Sequence, residues 1–132
     1  MTGYTFDTGV ISLHFAEDRR VEGAFRDVES GRSPGSVASV NMAELFYLTC
    51  RVLGRQTAVI RFRQTAEILN VVETDEDLTL RAGAFKCRDS QLSLSDSFAL
   101  ALAQRTGAIL LTTDTQLANN KAVRTKHFPV ST

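Results

Sequence analysis

The sequence predicts an α/β protein, a three-layer α/β/α domain around a central, mainly parallel five-stranded sheet. Three observations carry this. Short apolar or β-branched segments alternate with stretches striped at helical spacing, the pattern of strand–helix–strand units. One short segment, "AILL" (residues 108–111), is apolar without alternation, as expected of a strand covered on both faces. One helical stretch, "SDSFALALAQRTG", is apolar nearly all round and must therefore be buried.

The elements follow in order. "YTFD" is a short strand ending at Asp7, and "TGVISLHF" begins a helix directly after it. Val21, Ala24, Phe25 and Val28 form the apolar stripe of a second helix, which the turn residues of "SGRSPGS" stop. "VASV" (37–40) reads as the second strand, followed at Asn41 by a helix with Met42, Leu45, Phe46, Thr49, Val52 and Leu53 on one side and Gly54 at its end. Val59, Phe62, Ala66 and Leu69 stripe the next helix. "NVVET" is the third strand, and Leu78, Ala82 and Phe85 mark a further helix. The buried helix from Ser95 stops at Gly107, "AILLTT" is the fourth strand, and "VRTKHF" is a short fifth.

At 132 residues the chain is expected to be one domain, 1–132, able to bury about two-thirds of its unfolded surface. The longest apolar run, Phe98 to Ala103, is far short of the roughly 20 residues that span a bilayer. "MTGYTFDTG" carries neither the basic region nor the apolar core of a signal peptide, so a cytoplasmic protein without membrane contact is expected. Cys50 and Cys87 have no metal-ligand spacing and read as reduced core thiols.

A net charge of zero argues against nucleic-acid binding by bulk electrostatics. The distribution is uneven, however. No acid occurs from Leu45 to Ala66, where Arg51, Arg55, Arg61 and Arg63 all fall, whereas "ETDED" (73–77) holds four acids in five residues. These are either two solvated faces of opposite sign or, for the arginines, a surface that contacts phosphates.

In a parallel sheet, strand C-termini and the N-termini of the following helices share one edge, where ligands bind. Asp7 ends the first strand and Asp114, in "LLTTDTQL", ends the fourth. Glu44 is expected in the first turn of the helix after the second strand, and Asp96 opens the buried helix that feeds the fourth. Four acids thus converge on one rim. Singly, each has a structural explanation: "NMAE" fits a capping box with Asn41 as N-cap, Asp96 suits a helix N-terminus, and Asp7 and Asp114 can open turns. Together they repel, by about 3 kcal/mol for two carboxylates about 5 Å apart at an effective dielectric near 20. Such a cluster calls for protons or cations, and oxygen ligands suit Mg²⁺ or Mn²⁺. Glu44 also shares its helix face with Tyr47, Leu48 and Arg51, a face expected to be at least partly covered.

Other acids and bases read as structural. Asp75, Glu76 and Asp77 form an ordinary first helical turn, and His14 is a packed or half-exposed residue. With only His14 and His127, a zinc site or serine triad has little to work with. A haloacid-dehalogenase-type phosphatase would need an Asp where Gly9 stands, and a receiver module would need an acid pair near the start.

"FDTGVI", "VNMAEL" and above all "LSLSDSFALALAQRTGAILLTTDTQL" resemble a PIN-domain ribonuclease of the VapC toxin kind. The resemblance spans the chain. It implies that Asp7, Glu44, Asp96 and Asp114 form a catalytic metal site for Mg²⁺ or Mn²⁺, with Thr8 and Thr113 as polar supports. It also implies an RNA substrate cleaved to a 5′ phosphate and a 3′ hydroxyl, with Arg51 and Arg55 as candidate RNA contacts. A small antitoxin and a homodimer through the helices after the second and third strands are the implied partners. Gly9 replaces a common small polar residue, and Gln116 stands where some members carry another acid. The alternative is a non-catalytic PIN-fold module that binds RNA or protein.

Overall fold

A computed structural model describes residues 3–130, so the expected domain limits at 1 and 132 lie outside the described residues. The chain runs β1 (Tyr4–Phe6), α1 (Thr8–Phe15), α2 (Arg19–Glu29), β2 (Gly35–Ala38), α3 (Ser39–Leu53), α4 (Arg55–Ile68) and β3 (Asn70–Val72). It continues through α5 (Glu76–Arg88), α6 (Leu94–Thr106), β4 (Ile109–Thr112), α7 (Thr115–Ala118) and β5 (Thr125–His127). All five strands are parallel, in the order β3-β2-β1-β4-β5. The chain therefore steps outward in one direction from β1 and then returns to β1's other side at β4. That reversal places the topological switch between β1 and β4, where Phe6 pairs with Leu111.

Alternate strand residues feed two cores. Phe6, Val37 and Leu111 face Val10, Ile11, Phe25, Met42 and Leu45 from α1, α2 and α3. Ala38 and Leu110 face the other way, into Leu78, Ala82 and Phe85 of α5 and the run Phe98 to Ala103 of α6. This is the three-layer α/β/α architecture that the sequence predicts. Burial of α6 on nearly all sides follows from its position between the sheet and α5, and Gly107 ends it in the left-handed conformation that glycine adopts without strain.

Three expectations are corrected. The second strand lies two residues earlier than "VASV": Val40 belongs to α3, and Gly35 is buried so tightly against Val28 and Leu69 that no Cβ would fit. The packed face of α4 is Ala58, Thr65 and the capping Leu69, while Ala66 is exposed and Phe62 sits at the surface, because small residues let α4 lie close against its neighbours. Both cysteines are free, as expected, but neither is a core thiol: Cys50 is half-buried and Cys87 exposed on the outer side of α5. Among the described residues, no helix is long and apolar enough to cross a membrane.

Candidate functional site

Asp7 is the most buried of the four acids, with 3% of its surface exposed. It caps α1, where its Oδ1 accepts from the Val10 N–H at 2.9 Å. Its Oδ2 accepts the Thr112 hydroxyl and the Thr113 N–H, the latter at 3.2 Å, across the β1–β4 switch. Asp114 is locked from the same threonine: its N–H donates to Thr112 Oγ1 at 2.9 Å, and its Oδ1 caps α7 by accepting from Gln116 and Leu117. Asp7 and Asp114 thus do serve as caps, and they are also tied to one another through a single buried side chain.

Glu44 differs from its expected placement. Helix α3 begins at Ser39 with Ala38 at its cap position and no side-chain cap, so Glu44 lies in the second turn and "NMAE" forms no capping box. Asn41 turns inward instead and is fully buried. Its Nδ2 donates to the Ser95 carbonyl at 3.2 Å and to Thr8 Oγ1 at 3.4 Å, while the Thr8 hydroxyl donates to the Asn41 carbonyl at 3.2 Å. Asn41 therefore joins the starts of α1, α3 and α6. Ser95 completes the connection by donating its hydroxyl to Glu44 Oε2 at 3.0 Å. Asp96 sits one residue on, in the first turn of α6, where its N–H donates to the capping Ser93 hydroxyl.

Electrostatics bind the four into one set. The Asp96 carboxyl is pushed up to about 6, first by burial and then by the charge of Asp114, with Asp7 and Glu44 adding to it against the lowering effect of Ser93. Burial also raises Asp7, with Asp114 adding a smaller push, against the hydrogen bonds from Thr112, Val10 and Thr113. One carboxylate thus feels the other three, although they arise from positions 7 to 114.

The supporting residues were only partly legible. Thr113 contributes its backbone N–H, whereas the hydroxyl that braces the acids belongs to Thr112. Thr8 braces Asn41 rather than touching an acid. In the sequence Asn41 reads as a cap, and Ser95 and Thr112 look like ordinary helix-start and strand residues; their roles emerge only when the helices are packed. The face shared by Glu44, Tyr47, Leu48 and Arg51 is more open than expected: Tyr47, Leu48 and Arg51 are exposed and Glu44 is only half-buried. Within the acidic run, Asp75 and Asp77 are structural: Asp75 caps α5 and Arg105 pairs with both. His14 stacks on Phe25 at 4.0 Å between ring centroids.

Among the described residues, no three Asp, Glu, His or Cys side chains stand close enough to enclose a metal ion unaided. The donor set still fits a hard divalent cation. It consists of carboxylate oxygens with mutually repelling charges, and Mg²⁺ commonly takes only one or two carboxylates while keeping its waters. Asn41 Oδ1, by contrast, is buried without a protein partner, an acceptor suited to a water.

An all-parallel five-stranded sheet with acids gathered at its switch point defines a class, and the sequence places the chain in it. The PIN-domain family model matches residues 4–123, and the chain belongs to that family. Its structure is similar to that of a toxin–antitoxin complex from Klebsiella pneumoniae, at 20% identity, with 97% of this chain and 100% of that one covered and a TM-score of 0.74. It is similar to DNA-bound VapBC from Salmonella typhimurium at 16% identity, 96% and 98% coverage and a TM-score of 0.77. A third likeness is to VapC20 of Mycobacterium tuberculosis, described as a sarcin-ricin loop cleaving toxin, at 22% identity, 92% and 99% coverage and a TM-score of 0.70. At these identities the likeness concerns the fold. No curated protein matches the sequence significantly.

Proposed function

We propose that the chain is a divalent-metal-dependent endoribonuclease and the toxin half of a toxin–antitoxin pair, with Asp7, Glu44, Asp96 and Asp114 as its catalytic, metal-holding acids. The observation that carries this is the hydrogen-bonded linkage of the acids' elements: Thr112 ties Asp7 to Asp114, Ser95 ties Glu44 to the start of α6 beside Asp96, and Asn41 joins the starts of α1, α3 and α6. Bound there, Mg²⁺ or Mn²⁺ would neutralise the phosphodiester and lower the pKa of an attacking water. The chain's own residues do the positioning. Thr112 and the Val10 and Thr113 N–H groups hold Asp7 in one orientation, the α7 N-terminus fixes Asp114, and Ser95 steers Glu44. Asp96 exchanges its proton for positive charge near neutral pH. Arg51 and Arg55, on the acid-free stretch, are the candidate contacts to RNA phosphates.

Partners follow from the same reading. A cleft of about 460 Å³ lies against α1 and α2, lined by His14, Phe15 and Phe25 with Glu17, Glu22, Glu29 and Arg26. Three carboxylates against one arginine leave this mixed surface acidic, which suits a cationic amphipathic segment of an antitoxin. Outward-facing Val52, Leu53, Ile60 and Phe62 of α3 and α4, with Leu80 of α5, are the candidate homodimer surface.

The second reading, a non-catalytic module that binds RNA or protein, draws on the absence of a ready-made three-ligand cage among the described residues. Incubation with structured RNAs and Mn²⁺ separates the two. The nuclease reading expects 5′-phosphate fragments that EDTA abolishes and that Asp96→Asn fails to produce. Intact RNA in every lane would leave the binding module.

A further inference from the structure

A cleft of about 350 Å³ opens beside the acidic rim, between the first half of α3 and the start of α6. We infer that it is a nucleobase subsite, in which Tyr47 stacks on the base adjoining the phosphate held at the acids. The assignment rests on the nuclease reading for what occupies the rim.

Position is the first argument. Glu44 belongs both to the acidic set and to the wall of this cleft, and Tyr47 lies three residues on, on the same helix face. Through Glu44 the cleft continues the wall of the acidic rim. Wall chemistry is the second. Val40, Tyr47 and Leu94 supply apolar surface, and Tyr47 and Leu94 are 46% and 57% exposed, so neither is used by the core. The lining holds no lysine or arginine to receive a phosphate, which leaves an uncharged planar group as the fitting occupant. Charge is the third. Arg51, one further turn along α3, stacks its guanidinium on the Tyr47 ring at 5.3 Å from the centroid. It steadies the ring and sets a cation beside the cleft for the next phosphate of the strand.

The polar groups of the wall also say how the base would be read. The Ser95 hydroxyl donates to Glu44, and the Ser93 hydroxyl accepts from the Asp96 N–H. Ser93 and Ser95 also bond to each other at 3.2 Å, so both hydroxyls are engaged, and stacking on Tyr47, which any base can make, is the principal contact of the subsite.

The test uses fluorescein-labelled single-stranded RNA octamers with one abasic nucleotide moved through every position. Binding is read by fluorescence anisotropy in Ca²⁺, and cleavage of the same octamers is read separately in Mn²⁺. One abasic position is expected to weaken wild-type binding by about 5- to 150-fold, the range for loss of one base–aromatic stack. Tyr47→Ala should bind the intact octamer that much more weakly and lose the dependence on the abasic position, while Tyr47→Phe behaves as wild type. Because Tyr47 is surface-exposed, the alanine variant should keep the wild-type circular dichroism spectrum, and Tyr47→Leu provides a second, apolar replacement without a ring. Equal binding at every abasic position, or unchanged binding by the alanine and leucine variants, overturns the subsite. A halved mass of Tyr47→Ala in light scattering also overturns it, because a second copy of the chain would then cover this face. Cleavage that ignores Tyr47 removes the subsite alone. A wild-type chain that neither binds nor cleaves the octamers removes the nuclease reading with it.

Discussion

Replacing Asp96 by Asn removes the charge that the other acids oppose most. Its carboxyl stands at about 6 in the folded chain against an ordinary 3.8, through burial first and then through Asp114, Asp7 and Glu44. A raised folded-state pKa means that the folded chain keeps a proton which the unfolded chain has released. The stability from this group is therefore complete below about pH 4 and is lost as pH rises from about 4 to 6. The full difference corresponds to about 3 kcal/mol. Asp96 is only part-buried, and solvent screening brings this to about 1–2 kcal/mol. Asn also gives up a favourable charge at the N-terminus of α6, which costs about 0.5 kcal/mol. The net expectation for Asp96→Asn without divalent ions is a gain of about 1 kcal/mol at pH 7.5, or about 3–5 °C in Tm for a chain of this size. At pH 4 the gain should vanish. Thermal and urea unfolding followed by circular dichroism in EDTA measures this, and added Mn²⁺ should raise the Tm of wild type but not of the variant. A variant less stable than wild type at pH 7.5, with no Mn²⁺ response in either protein, would reduce Asp96 to a helix-end residue and refute the reasoning.

Other expectations can be checked singly. A Cβ on residue 9 would overlap Thr113 Oγ1 and lie 3.1 Å from its Cβ and Cγ2, so Thr113 must both rotate and shift to admit it. Gly9→Ala should therefore cost about 2 kcal/mol in urea unfolding, and Thr113→Ala in the same chain should recover most of it; full stability of the single variant would contradict the packing. Arg51→Glu with Arg55→Glu should weaken RNA binding and lower its salt dependence by about one to two ions released, whereas identical affinity across salt concentrations would return both arginines to plain surface. Co-expression with the genomic neighbour should yield a complex with suppressed ribonuclease activity. A freely active chain whose neighbour neither binds nor inhibits it would remove the toxin assignment and leave the nuclease assignment intact.

The alternation of short strands with striped helices was enough to foresee the parallel five-stranded sheet, and with it the edge on which Asp7, Glu44, Asp96 and Asp114 gather. These features depend on periodicity and chain direction, which a single sequence displays. The features that a single sequence does not display depend on packing. Gly35 reads as part of a turn because "SGRSPGS" has turn composition, yet it is a strand residue whose missing side chain makes room for Val28 and Leu69. Asn41 reads as a cap because asparagine favours caps, yet three helix starts meet around it and use its amide. Thr112 and Thr113 are adjacent and alike, and only the strand pleat decides which hydroxyl reaches Asp7. Gly9, a departure from the common small polar residue, is explained by Thr113, whose side chain takes the space a residue-9 side chain would need.

The central claim is that acids drawn from four separate elements act as one divalent-metal site. Mn²⁺ binding, followed by the loss of the free-ion electron paramagnetic resonance signal, tests it most directly on wild type and on Asp7→Asn, Glu44→Gln, Asp96→Asn and Asp114→Asn. The account predicts measurable binding to wild type and at least about a tenfold loss in each variant, since removing one carboxylate takes away both a candidate ligand and part of the field that draws the ion. Wild-type affinity in all four variants, or no binding by wild type, would contradict it.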